Sequence, residues 1–251
     1  MLRAPVLRLT RPILLMLPAM VASTAMTFAT AARADDPGVA FSASRPGGAL
    51  PQGWQNKPVV NGKTLTRYAL VADQGTTVLE ADATGAASGL IHAGDVDLGA
   101  TPVVQWRWKV AGPIPNADNR DARREDAPAR LVFFFDGESS NLSIGERAGM
   151  AISGAVGDKL PYATLMYIWT NSAPVGTVIA NPHTNRVQMI VVGGAADAGK
   201  WQKLRRNVSA DFQKVFREQP GKLLGYGLMT DTDNTGASAR ARYGDIRFTA
   251  R

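Results

Sequence analysis

The chain has 251 residues, no cysteine and a formal net charge of +7, which excludes a disulfide-stabilised scaffold and a lipid anchor on cysteine. Residues 1–34 hold four arginines and no acidic residue, so the rest of the chain holds 24 basic and 21 acidic residues. An excess of three positive charges gives no case for nucleic-acid binding.

The N-terminus has the pattern of a bacterial secretory signal. The arginine-bearing residues 1–11 precede the apolar run ILLMLPAMVASTAMTFAT, and Ala32-Arg33-Ala34 supplies the small residues that signal peptidase requires. We expect cleavage after residue 34 and one mature domain, residues 35–251, in the periplasm or secreted. An uncleaved membrane anchor is the alternative for the same segment. No membrane span is expected after cleavage, and the sequence makes no prediction of the oligomeric state.

Most of the mature chain alternates apolar and polar residues, as strands with one buried face do. In VVQWRWKV, Trp106 and Trp108 fall on the apolar face, and Arg107 and Lys109 fall on the polar face. Similar segments recur between turn-rich pieces: LVFFFD, TLMYIWT, RVQMIVVGG, LLGYGLMTD and ARARYGDIRF. The pattern predicts an all-β fold, an antiparallel β-sandwich of the jelly-roll type.

One or two short helices are expected within this β fold. SADFQKVFREQPG has Ser209 as N-cap and stops at Pro220-Gly221. NLSIGERAGMAISG is the second candidate, although its glycines oppose a helix.

Chemical signals for catalysis are few, and no catalytic residue is assigned. The chain has two histidines and no zinc-protease, nucleophile-elbow or phosphate-loop motif. Carboxylates are the remaining groups that could catalyse a reaction, because an acid and a base suffice for glycoside hydrolysis. Asp126, Asp231 and Asp245 are the candidates in that alternative.

The segment TDTDNTG, residues 230–236, is similar to the start of a calcium-binding EF-hand loop. The position that requires a bidentate glutamate falls on Arg242, so a true EF-hand is not expected. Two interpretations stay open. Asp231, Asp233 and Asn234 order the turn through their own side chains, or they hold a calcium ion with backbone carbonyls.

A polar sheet surface is expected near the C-terminus. RYGDIRF places Tyr243, Asp245 and Arg247 on one face of a strand. If this strand joins the sheet that contains QWRWKV, then Arg107, Lys109, Asp245 and Arg247 share one surface. That surface is either a binding face or a solvated, charge-paired sheet.

Two further features are candidates for ligand contact. Arg130 follows a loop of mixed charge at the mouth of a strand, where it would clamp an anionic or hydroxylated ligand. Tyr167 and Trp169, with Tyr243, would supply a stacking surface. The alternatives are a solvated loop and core packing.

The succession of motifs resembles the bacterial family called domain of unknown function 3047 (DUF3047). Its pieces are W-x-W-K-V at Trp106–Val110, P-Y-x-T-L-M-Y-x-W at Pro161–Trp169, M-T-D-x-D-N-T-G at Met229–Gly236 and Y-G-D-I at Tyr243–Ile246. The resemblance covers nearly the whole mature chain and departs from the pattern in EDAPAR before Arg130. The ending is similar to the closing strand of galactose-binding-like jelly rolls and carbohydrate-binding modules, which is an analogy of fold.

The resulting expectation is an exported protein that binds a saccharide or a similar polar cell-envelope ligand without catalysis. Arg107, Lys109, Arg130, Asp245 and Arg247 would supply charge-assisted hydrogen bonds. The alternatives are a carboxylate-dependent polysaccharide hydrolase or lyase, and a structural or assembly partner in the envelope. Calcium is the one cofactor considered.

Overall fold

The computed structural model describes residues 38–58, 62–138 and 160–250, together with Met1, Ser140, Leu142, Ser143, Gly145 and Glu146. The predicted signal segment, apart from Met1, lies outside the described residues, as does most of the second predicted helix. The described strands all belong to the compact unit Asp35–Arg251. Within the described part of the chain, no helix has the length and apolar character needed to cross a membrane.

Strands dominate the described chain, and one α-helix interrupts them. In chain order the elements are β1 Trp54–Pro58, β2 Arg67–Asp73, β3 Thr76–Thr84, β4 Ala87–Val96, β5 Val103–Val110, β6 Ala129–Phe135, β7 Ala163–Trp169, β8 Val178–Asn181, β9 Thr184–Gly193, β10 Gln202–Asn207, α1 Val208–Phe216, β11 Leu223–Asp231, β12 Ser238–Tyr243 and β13 Arg247–Thr249. Short 3-10 turns lie at Phe41–Ala43 and Ala195–Asp197.

The described strands form two sheets. One sheet has seven strands in the order β1-β4-β11-β6-β7-β9-β8, and the other has β10-β5-β12-β3-β2 with β13 also paired to β5. Neighbouring strands are antiparallel except β7 and β9, which are parallel. The arrangement is an antiparallel β-sandwich of the jelly-roll type, so the predicted fold class is confirmed.

The main core lies between the two sheets and is rich in aromatic side chains. Trp106 on β5 stacks on Tyr167 on β7, with ring centroids 5.3 Å apart. Full burial of such a side chain contributes roughly 1.5–3 kcal/mol. The central strands β6 and β7 are buried at every position, which explains why LVFFFD and TLMYIW are apolar runs and do not alternate strictly.

The helix α1 continues directly from β10. The Asn207 side chain accepts a hydrogen bond from the Ala210 N–H at 2.9 Å and caps the first turn. Phe212 packs on Phe135, with ring centroids 4.4 Å apart. The predicted helix is present, but its N-cap is Asn207 and not Ser209, because the helix begins at Val208 and the Asn207 side chain accepts the Ala210 N–H.

Candidate functional site: the outer face of the six-stranded sheet

The polar surface predicted from the sequence exists. β13 pairs with β5, with Arg247 opposite Gln105, and so the terminal strand lies in the sheet that contains QWRWKV. Arg107, Lys109 and Arg247 point away from the core because their strand neighbours point into it. Asp245, just before β13, has the same orientation.

This outer face concentrates the positive charge of residues 35–251. Among the described residues, register and alternation place eight basic and four acidic side chains on this face: Arg67, Arg107, Lys109, Lys203, Arg205, Arg240, Arg242 and Arg247 against Asp73, Glu80, Asp82 and Asp245. The excess of four positive charges on this face exceeds that of the whole chain after residue 34.

One half of the face, on β2, β3 and β12, is charge-paired around Asp73. Its carboxylate lies 2.5 Å from Lys109 Nζ and 3.4 Å from Arg242 Nη1, and it accepts a hydrogen bond from Trp201 Nε1 at 3.0 Å. The hydrogen bond from Lys109 lowers the pKa of Asp73 below its ordinary value. Lys109 is therefore neutralised within the protein.

A second group of pairs extends this network towards the edge strand β2. Asp82 accepts hydrogen bonds from Arg67 and Arg240, each at 3.0 Å. Burial acts to raise the pKa of Asp82, but these two hydrogen bonds outweigh it and lower the pKa. Glu80 pairs with Arg242 at 2.8 Å. This half of the face matches the solvated, charge-paired alternative.

The other half of the face carries four basic side chains, and three of them lack such pairs among the described residues. We call it the cationic strip; it consists of Arg107, Lys203, Arg205 and Arg247. Lys203 lies directly opposite Arg107, and Arg205 lies opposite Gln105. Among the described residues, no carboxylate forms an ion pair with Arg107, Lys203 or Arg205.

Arg247 is the member of the cationic strip with an acidic neighbour. Its Nη2 atom lies 3.6 Å from Asp245 Oδ2. The Asp245 carboxylate also accepts hydrogen bonds from Ser42 N at 2.9 Å and from Ser42 Oγ at 2.7 Å. Asp245 therefore holds the 3-10 turn Phe41–Ala43 in place and also faces Arg247.

Trp201 and Gly244 position the Arg107 side chain. The guanidinium carbon of Arg107 lies 4.6 Å from the centroid of the partly buried Trp201 ring, within the range of a cation–π contact. A Cβ atom at Gly244 would lie 2.5 Å from Arg107 Cγ and Nε. The missing side chain at Gly244 thus leaves the space in which Arg107 lies.

Arg130 is not part of this surface. It is 3% exposed on β6, and its Nε and Nη2 atoms each donate to the Asp231 carboxylate at 2.9 Å. Its Nη2 atom also donates to the carbonyl of Glu125 at 2.6 Å. Burial raises the pKa of Asp231 to about 7, against the lowering effect of Arg130. In this geometry Arg130 clamps a carboxylate of its own chain.

The TDTDNTG segment is held by a residue outside it. Asp126 accepts hydrogen bonds from Asn234 N at 3.1 Å, Thr235 N at 2.7 Å and Thr235 Oγ1 at 2.5 Å. Sequence reasoning did not find this role, because the two loops are far apart along the chain. The turn is ordered chiefly by Asp126, and not by Asp and Asn side chains of the segment itself.

The candidate calcium ligands lie in a carboxylate cluster. Ligand atoms of Asp126, Asp231 and Asp233 lie within 4.8 Å of one another. Lys63 pairs with Asp233 at 2.8 Å, and the Asn234 side chain donates to the carbonyl of Ala122 at 3.1 Å. Protein groups already contact every carboxylate of the cluster, and calcium binding there stays a prediction.

The three aromatic candidates for stacking lie in the core. Tyr167, Trp169 and Tyr243 are fully buried. The Tyr167 hydroxyl donates to Asp211 Oδ2 at 2.7 Å, and the Tyr243 hydroxyl donates to the carbonyl of Met229 at 2.9 Å. Their placement corresponds to the core alternative and offers no ring to a ligand.

Sequence reasoning missed three residues of this surface. Trp201, Lys203 and Arg205 alternate in KWQKLRR with a period of two, which is the pattern of one strand face. That pattern could have predicted that the three side chains lie on one face of a strand. It could not have predicted that this strand lies beside the one that contains Arg107.

Three solved structures have a low similarity to the chain over most of its length. No curated protein matches it in sequence. Endoglucanase 3 from Trichoderma harzianum, of glycoside hydrolase family 12, is 11% identical with a TM-score of 0.42, covering 87% of this chain and 99% of that one. The xyloglucanase domain of NopAA from Sinorhizobium fredii, in complex with cellobiose, is 8% identical with a TM-score of 0.38, covering 83% and 99%. The cellulose-induced protein Cip1 is 10% identical with a TM-score of 0.33, covering 81% and 94%. The activities of these proteins do not carry over to this chain.

The family comparison covers most of the chain. The family described as "Protein of unknown function (DUF3047)" matches residues 52–247, which include the motifs at Trp106–Val110, Pro161–Trp169 and Met229–Gly236. The chain therefore belongs to the DUF3047 family.

Proposed function

We propose that the protein is an exported, non-catalytic binding protein whose ligand is an anionic saccharide polymer of the cell envelope, held on the cationic strip. The observation that carries this proposal is the direct opposition of Lys203 and Arg107 on neighbouring strands. Like charges in this position destabilise a sheet. An anionic ligand would remove that cost when it binds.

The chemistry of the cationic strip suits carboxylate or sulfate groups. Three of its four members are arginines, and a guanidinium binds a carboxylate through two parallel hydrogen bonds. The strip crosses three adjacent strands, β10, β5 and β13, which is a width of about 10 Å. A patch of this size contacts several charged groups of a polymer at once.

The predicted compartment favours a saccharide over nucleic acid. The arginine-bearing leader predicts export, and acidic polysaccharides are polyanions that an exported bacterial protein meets. Binding by surface charges is expected to weaken as salt increases, because salt screens exposed charges.

The hydrolase alternative has less support from the positions of its carboxylates. Asp126 and Asp231 are buried and accept hydrogen bonds from the protein. Asp245 accepts two hydrogen bonds from Ser42. A binding role requires none of these three groups to reach a substrate.

The test uses protein produced from the full-length chain, applied to resins that carry polygalacturonate, alginate, neutral dextran or DNA. We expect salt-sensitive retention on the two acidic polysaccharides and none on dextran. The variant with Lys203→Ala and Arg205→Ala should bind about tenfold more weakly, since tenfold corresponds to about 1.4 kcal/mol. Lys57→Ala, on the other sheet, is the matched control.

Three results would overturn the proposal. Equal retention of wild type and the double variant would remove the cationic strip from binding. Preference for DNA would change the class of ligand. Release of new reducing ends from either polysaccharide would make the protein an enzyme.

A further inference from the structure

A cleft of about 870 Å³ opens where the end of β4 meets the start of α1. Three segments line it: residues 95–99 with Pro102, the first turns of α1 with Asn207, and residues 219–223. No member of the cationic strip lines the cleft. Its volume falls within the range of sites that hold small ligands, roughly 300–1,000 Å³.

Hydrogen bonds fix the first wall of the cleft. Asp97 Oδ1 accepts from Gly99 N at 2.8 Å and from Ala100 N at 3.3 Å. The Asp97 carbonyl accepts from Thr101 N at 2.8 Å and from Thr101 Oγ1 at 2.9 Å. This turn is therefore preformed.

The other two walls are also tied to the sandwich. Val208 N donates to the Pro102 carbonyl, and Asp136 N donates to the Lys222 carbonyl, each at 2.8 Å. A Cβ atom at Gly221 would lie 2.1 Å from the Asp136 carbonyl oxygen, so only glycine allows this close approach. The cleft does not need to form upon binding.

The lining is polar but carries little charge. Its uncharged polar side chains are two amides and a hydroxyl from the helix side and one amide from the loop: Asn207, Gln213, Ser209 and Gln219. The Gln213 amide donates to Gln219 Oε1 at 3.0 Å and so links two of the lining segments. These groups supply both donors and acceptors.

Charge at the cleft disfavours an anion. Lys222 is the one basic residue among the described residues that line it, and its Nζ atom lies 2.5 Å from Asp95 Oδ2. Asp97 adds a second carboxylate. Ala210 and Pro220 contribute apolar surface beside the polar groups. This combination fits a ligand with hydroxyls on one side and C–H groups on the other.

We infer that this cleft binds a neutral mono- or oligosaccharide. The site is separate from the cationic strip, and it does not depend on the proposed polyanion binding. Gln213, Gln219 and Asn207 are the groups expected to exchange hydrogen bonds with sugar hydroxyls. Ala210 and Pro220 would contact the C–H face.

The test is NMR titration of the full-length product with glucose, galactose, mannose, N-acetylglucosamine, maltose and lactose. At least one sugar should give saturable shifts centred on the amides of residues 207–213 and 219–222. Ala210→Trp should fill the cleft and weaken that binding at least about tenfold, which is about 1.4 kcal/mol. Lys214→Trp, an exposed position of α1 that does not line the cleft, is the matched control.

A second variant tests the same site in case Ala210→Trp does not fold. Gln213→Ala removes one exposed amide and should weaken the same titration, while retention on polygalacturonate stays unchanged for all three variants. The inference would be overturned if no sugar gave saturable shifts, or if the shifts were centred elsewhere. It would also be overturned if Ala210→Trp and Gln213→Ala both bound the sugar as tightly as wild type. Because polyanion retention is measured separately, its loss would count against the proposed function alone.

Discussion

Lys203 lies directly opposite Arg107 in the β10–β5 pair, and both side chains point to the outer face of the six-stranded sheet. Arg107 is further held over the Trp201 ring. A sheet selected for stability alone would place an acid opposite an arginine. The β12–β3 pair does so, since Glu80 faces Arg242 and Asp82 faces Arg240. Where Arg242 faces Lys109 in the β12–β5 pair, the Asp73 carboxylate pairs with both side chains.

The first prediction follows from this opposition. Lys203→Glu should raise the free energy of unfolding by about 0.2–1 kcal/mol, because an opposite-charge pair replaces a like-charge pair. The same change should weaken retention on polygalacturonate. Urea denaturation and resin binding measure the two effects. Lys57→Glu is the control for total charge; if it gave the same two changes, the local opposition would not be their cause.

The buried pair of Arg130 and Asp231 should be strongly coupled. Arg130→Met or Asp231→Asn should each cost about 3–5 kcal/mol, because each leaves one buried group without its partner. The double variant should cost less than the sum of the two. Chemical denaturation of all four proteins gives the coupling energy.

An exposed pair provides the comparison for this cycle. Arg67→Met makes the same chemical change beside Asp82, where the arginine side chain is 69% exposed, and it should cost about 0–1 kcal/mol. Additive losses at Arg130 and Asp231 would show that the two side chains do not stabilise each other.

Asp126 should control the order of the TDTDNTG turn. Asp126→Asn removes the charged acceptor of three hydrogen bonds to Asn234 and Thr235, and we expect a loss of about 1–3 kcal/mol. Hydrogen exchange at the amides of residues 234 and 235 should become faster. Asp118→Asn, in the same loop, should leave that exchange unchanged; equal acceleration would argue against a specific role of Asp126.

Calcium should have little effect on stability. Arg130 and Lys63 already pair with Asp231 and Asp233, and a cation would have to replace those contacts. We expect the same Tm in calcium and in chelator. A Tm increase in calcium that disappears in Asp233→Asn would instead support the metal interpretation of TDTDNTG.

Acidic pH should destabilise the fold through His92. Its ring packs against Trp54 and Tyr226, with centroids 5.6 Å from each, and among the described residues its buried Nδ1 atom has no hydrogen-bond partner. Burial lowers the pKa of His92 below its ordinary value of 6.5. The unfolded chain therefore binds the proton more readily, and stability is lost as the pH falls below about 6.5.

The measurement compares wild type with His92→Phe from about pH 7.5 to about pH 5.5, across the ordinary histidine pKa. The variant keeps an aromatic ring and should lose less stability on acidification. The difference in stability loss between the two proteins gives the contribution of His92, because carboxylates such as Asp231 are present in both. Parallel pH profiles would contradict the prediction.

Local sequence patterns were sufficient for the fold class. Period-two alternation in segments such as Val103–Val110 depends only on which side of a strand is buried, and it predicted both the sandwich and the polar face with Arg107. The apolar stripe of α1 similarly predicted a helix. The family motifs identified DUF3047 before any contact was known.

The site depended on contacts between residues distant in the chain. β6 and β7 lie in the middle of a sheet and are buried on both faces. Alternation of apolar and polar residues therefore could not show that Arg130 would pair with Asp231, or that Tyr167 would lie in the core. Nor could it show that β10 would lie beside β5. A strand's own sequence sets its two faces, but long-range packing sets the order of strands, and only that order brings Lys203 opposite Arg107.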